Sequence, residues 1–226
     1  MPIATTPASA SLEELGSAGK VAEFDHAAVG WWILDNGNIL VATPDGIVTA
    51  YMVQENGTYA EVWAVDANTS VNCADYNSDE ELLALGTSNG VVVVSIDYMD
   101  ELYRFSVNEA VDGVAWDRDG DLWVTKRVSK HAIEWDGTAS ALSGISTISS
   151  HTNGITDVIA LSDGKVLTSG RDKQIRIHDE NGSFIQALAD STAPLLKMTV
   201  SSDEAYLFSL TDNCRLDIHN LSLIHI

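Results

Sequence analysis

Three ionisable residues, Asp112, Asp157 and His151, are each candidates for acid–base chemistry. Two carboxylates and a histidine are the groups that hydrolysis or elimination would need. Two further sets suggest metal. Asp117-Arg118-Asp119-Gly120-Asp121 has the carboxylate density of a calcium loop, and His178 and His219 recur in similar local contexts. The calcium reading fails on spacing, because the helix–loop–helix pattern needs glycine at its sixth position and glutamate at its twelfth. The segment reads as a turn. A phosphate-cradling glycine loop and Cys-X-X-Cys are absent from the sequence. No catalytic residue, metal ligand or cofactor is assigned from the sequence.

Basic residues give a sharper lead. The chain has 12 Lys and Arg against 33 Asp and Glu, a net charge of −21. Such a charge repels nucleic-acid phosphates and anionic membrane surfaces, so neither is an expected partner. Yet half of the cations fall into two short stretches, Lys126, Arg127 and Lys130, then Arg171, Lys173 and Arg176. With a screening length of about 8 Å, such a cluster stays locally positive inside an acidic molecule. It suits an acidic or phosphorylated segment of a protein or peptide partner. The competing reading is that these cations answer nearby carboxylates.

The elements that must position these residues follow from a repeat. Asp35, Asp79, Asp119, Asp163 and Asp203 each open a tight turn between short apolar runs, in alternating steps of 44 and 40 residues. That period is the length of a four-stranded propeller blade. The fourth residue after each aspartate is bulky and apolar: Ile39, Leu83, Trp123, Leu167 and Leu207. Pro44-Asp45-Gly46, Ser88-Asn89-Gly90, Arg171-Asp172 and Thr211-Asp212-Asn213 mark hairpins, where Gly, Asn and Asp favour turn geometry. Both basic stretches fall at such second-to-third-strand hairpins. The predicted fold is an all-β propeller of four-stranded antiparallel blades, about five in number, over residues 20–226. Approximate blades are 27–66, 70–107, 110–148, 151–190 and 193–220, after a flexible segment 1–19. Positions seven and six before the turn aspartates, which should line the channel, repeat no His, Asp or Glu, so a symmetric metal ring is not expected.

Ser162–Asp179, SDGKVLTSGRDKQIRIHD, resembles a repeat of the WD-repeat β-propeller family. The resemblance implies a hydrogen-bonded tetrad, carried here by His151, Ser169 and Asp172, with His178 in place of the usual tryptophan. It makes His151 a structural histidine. Only Trp135-Asp136 keeps the literal terminal dipeptide, and the first repeat matches weakly. Rings of this family close with a strand from one terminus, for which Lys20–Phe24 is the candidate. The fifth repeat stops after its third strand, and the ending Leu221–Ile226 follows no repeat logic, which suggests an incomplete chain. The resemblance implies a noncatalytic protein–protein interaction scaffold. The alternatives are a hydrolase or lyase with an asymmetric channel site built from Asp112, Asp157 or His151, and a structural module of a larger protein. Cys73 and Cys214 read as free thiols, and without a signal segment or membrane span a cytoplasmic location is the expectation.

Overall fold

A computed structural model describes residues 27–136 and 144–224. The expected lead-in 1–19, the candidate closing strand Lys20–Phe24 and the last two residues lie outside this range. The described residues form five antiparallel sheets and no α-helix. The first sheet is β1 (Gly30–Ile33), β2 (Ile39–Ala42), β3 (Ile47–Val53) and β4 (Tyr59–Asp66). The second is β5 (Val71–Asn77), β6 (Leu82–Thr87), β7 (Gly90–Ser95) and β8 (Asp100–Ser106). Blade three is β9 (Val111–Trp116), β10 (Leu122–Lys126), β11 (Ala132–Trp135) and β12 (Gly144–Ile148), and blade four is β13 (Ile155–Ala160), β14 (Val166–Gly170), β15 (Gln174–His178) and β16 (Phe184–Asp190). Blade five has three strands, β17 (Leu195–Val200), β18 (Tyr206–Thr211) and β19 (Leu216–Asn220), followed by a 3-10 turn, Leu221–Ile224.

Each sheet is a meander whose first strand lies innermost, with β1 packing on β5, β5 on β9, β9 on β13 and β13 on β17. Apolar clusters fill the gaps between neighbouring blades. Cys73, Leu82, Val91 and Val93 of blade two meet Val111, Trp116, Leu122 and Trp135 of blade three. The buried run Val91–Val94 sends alternate side chains to opposite neighbours, so a strand covered on both faces needs no polar positions.

The apolar column after the turn aspartates is buried in every copy but does not face one way. Leu83 and Leu207 pack toward the preceding blade, whereas Trp123 and Leu167 pack toward the following one. Turn length causes the split. Tyr76 pairs with Leu83 but Ala160 pairs with Val166, and a shift of one residue moves a strand side chain to the other face.

Alternating connections also sort the turns onto two faces. Turns joining first to second and third to fourth strands lie at one end, where Arg118 reaches the Asp163 carbonyl and Glu180 of the next blade. Each of them carries at least one carboxylate, and among the described residues their only cations are Arg118 and Lys165. At the opposite end lie the second-to-third-strand hairpins and the links between blades. Gly46 in the first of these hairpins has φ +97°, and an added Cβ would sit 2.3 Å from the Thr69 carbonyl oxygen, so only glycine fits there.

Candidate functional site

The link between blades three and four carries His151, fully enclosed beneath the fourth hairpin. Its Nδ1 lies 2.9 Å from Asp172 Oδ1 and its Nε2 2.8 Å from Thr168 Oγ1. Burial lowers the His151 pKa despite the opposing influence of Asp172. The ring is therefore neutral near pH 7, with Nδ1–H donating to the carboxylate and Nε2 accepting from the Thr168 hydroxyl. Asp172 also accepts from the Thr152 backbone N–H at 3.0 Å. Burial opposes its ionisation, but these hydrogen bonds outweigh it and hold its pKa below the usual value.

The hydroxyl in this network is that of Thr168, not Ser169. Ser169 Oγ lies 3.1 Å from Thr156 Oγ1. Consecutive strand residues point to opposite faces, so an alignment one residue off selects the wrong hydroxyl. His178 is bonded elsewhere. Its Nδ1–H donates to the Val166 carbonyl at 3.3 Å, and Nε2 lies 2.9 Å from Ser150 Oγ. Burial pushes its pKa down to about 4. His219, in the corresponding position of blade five, has its own serine, Ser209, at 3.1 Å.

The channel residues are likewise engaged with one another. Lys197 Nζ donates to Asp157 Oδ1 at 2.9 Å and, across the channel, to the Asp112 carbonyl at 3.2 Å. Burial works against the ammonium, but Asp157 and its neighbours outweigh that and raise the Lys197 pKa. Asp157 Oδ2 accepts the Met198 N–H at 2.8 Å, and Asp75 does the same for Trp116, so each carboxylate ties its inner strand to the next blade. Burial pushes the Cys73 thiol up to about 12, which leaves it unreactive. His151 belongs to the blade-four network and not to this cluster.

Of the six cations singled out in the sequence, three have carboxylate partners. Lys126 lies 3.5 Å from Glu109, Arg127 makes hydrogen bonds of 2.9 and 2.8 Å to Asp112, and Arg176 lies 3.3 Å from Asp172. Arg176 also donates to the Ser150 carbonyl, lies over the Phe184 ring and is largely buried, which makes it part of the blade. Lys130, Arg171 and Lys173 are exposed and make no ion pair among the described residues. The hairpins adjoin. Ile155 N donates to the Ser129 carbonyl at 3.0 Å and Arg171 N to the Gly154 carbonyl at 2.8 Å. Gly154 fits between them, with the Arg127 carbonyl on one side and the Arg171 side chain on the other.

One constellation has no local sequence signature. Asp117 accepts the N–H groups of Asp119 and Asp121 at 3.0 and 2.9 Å, as the turn reading requires. Glu134, from β11, joins Asp117 and Asp121 so that one carboxylate oxygen from each lies within 4.8 Å of the other two. Burial raises its pKa to about 7. No local motif connects Glu134 to that turn; only strand pairing does.

The WD domain, G-beta repeat family matches residues 143–179, the part of the chain that holds the His151 network. Among solved structures the chain is similar to one titled "Structure of U3-55K", with a TM-score of 0.73 and 19% identity over 89% of this chain and 63% of that one. A search of curated proteins finds no match. The fold is that of the WD-repeat β-propellers, and the chain spans 63% of the length of that structure's chain. No described helix is long and apolar enough to cross a membrane.

Proposed function

We propose that the protein is a noncatalytic scaffold that captures an acidic or phosphorylated segment of a partner protein on the rim formed by the hairpins of blades three and four. One observation carries this reading: Lys130, Arg171 and Lys173 are exposed and without ion-pair partners among the described residues, in a chain of net charge −21. Arg127, half exposed, sits between them and Asp112 and can lend a second donor edge to a phosphate. The reading divides the original cluster: Lys126 and Arg176 serve the fold, and the other four face the partner. The hydrogen bonds and ion pairs of Asp112, Asp157 and His151 support the noncatalytic side of the proposal, since each already has a structural partner.

The test is binding of a fluorescein-labelled acidic peptide with a central phosphoserine, followed by anisotropy. Replacing Lys130, Arg171 and Lys173 together with glutamate should weaken binding by about tenfold or more, ~1.4 kcal/mol. Equal binding by the variant, folded by circular dichroism, would refute the rim.

A further inference from the structure

The face opposite the basic rim carries a cavity of about 270 Å³ between the turns of blades four and five. Its floor is apolar, formed by Leu161, Leu167 and Ile177, with Leu221 closing the outer side. All four belong to the cluster that joins these two blades, so the floor is fixed by interior packing. Glu204 crosses from blade five and accepts from the Ser162 N–H at 3.0 Å and the Ser162 hydroxyl at 2.7 Å, which holds one wall in place. The mouth is acidic. Asp163 is paired with Lys165, whereas Asp203 has no cation within reach among the described residues and is kept ionised by hydrogen bonds from the Ser201 hydroxyl and the Ala205 N–H.

We infer that this cavity is a second docking site, which takes one apolar side chain of a partner peptide flanked by arginine or lysine. The volume suits a single leucine, methionine or phenylalanine side chain, and the charge of the mouth selects the flanking residues. Charge complementarity decides the occupant: every turn of this face carries a carboxylate, so an acidic peptide is repelled and a basic one attracted. The cation of such a peptide sits against Asp203 while its apolar neighbour is desolvated against Leu161, Ala205 and Leu221, above the buried Leu167 and Ile177. This site does not depend on the basic rim, and the two together would let the molecule hold oppositely charged segments on opposite faces.

The experiment uses the full chain and three short fluorescein-labelled peptides: a leucine flanked by two arginines, the same peptide with alanine for leucine, and the same peptide with glutamates for arginines. The first should bind saturably; the alanine and glutamate peptides should bind at least about tenfold more weakly. Ala205→Phe, which fills the cavity, and Asp203→Lys, on an exposed turn, should each reduce binding of the first peptide by a similar factor. The rim variant with Lys130, Arg171 and Lys173 changed to glutamate should bind it no more weakly than the parent. Equal binding of the leucine and alanine peptides would mean diffuse attraction to an acidic face and would overturn the proposal. So would binding that survives both Ala205→Phe and Asp203→Lys.

Discussion

Removing the imidazole of His151 leaves the fully buried Thr168 hydroxyl and the Asp172 carboxylate each short of a partner. His151→Ala should therefore cost at least about 1–3 kcal/mol of unfolding free energy in denaturant titration. A double-mutant cycle separates the two candidate hydroxyls. Thr168→Val and His151→Ala should couple, whereas Ser169→Ala and His151→Ala should be nearly additive. Coupling to Ser169 alone would contradict the geometry. Asp75 gives a pH signature. Burial holds its pKa at about 7, against 3.8 for a free carboxyl, with the N–H groups of Trp116 and Tyr76 pulling the other way. The folded protein thus keeps a proton that the unfolded chain has lost, and stability falls as pH rises across that window and levels above it. Asp75→Asn keeps an acceptor for Trp116 and removes the titration. Its Tm relative to the parent should rise between pH 4 and pH 7, and a pH-independent difference would rule this out. His178 acts in the opposite sense: with its pKa near 4, its contribution is full above the ordinary 6.5 and is lost on acidification.

At the level of elements, the periodic turns made the sheets legible, because Asp-centred turns and apolar runs are local signals that any strand–turn–strand unit must carry. Register was less legible. Tyr76 pairing with Leu83, while Ala160 pairs with Val166, depends on a single residue of turn length, and the same uncertainty separates Thr168 from Ser169. Glu134 was invisible as a neighbour of Asp117 because strand pairing brings it there. Two outcomes test the packing. Leu167→Ala removes a fully buried side chain between blades four and five and should cost about 2–5 kcal/mol. Among the described residues β19 is the outermost strand of blade five, with Leu216 and Ile218 61% and 62% exposed. An apolar edge of this kind invites pairing with another chain. If this strand pairs with a second copy, sedimentation velocity of the parent should show a concentration-dependent dimer that Leu216→Lys with Ile218→Lys removes; a parent that stays monomeric, or a dimer that survives the substitutions, would contradict pairing here.

The whole molecule is electrically two-sided. Turns at one end carry a carboxylate in every copy, since Asp35, Asp79, Asp119, Asp163 and Asp203 recur with the blade. The hairpins of blades three and four break the pattern at the other end with Arg127, Lys130, Arg171 and Lys173. The clustering of these cations was legible in the sequence, but which of them were already committed was not: Glu109 and Asp112 come from the preceding link and inner strand. Partner capture at this rim should weaken with added salt, because exposed charges are screened over about 8 Å at physiological ionic strength. The most direct test is amide hydrogen exchange on the full chain with and without the phosphoserine peptide. The account predicts slowed exchange at residues 127–131, 152–154 and 171–173, with the turns 161–165 and 203–205 unchanged. Protection of those turns instead, or of the channel strands alone, would contradict it.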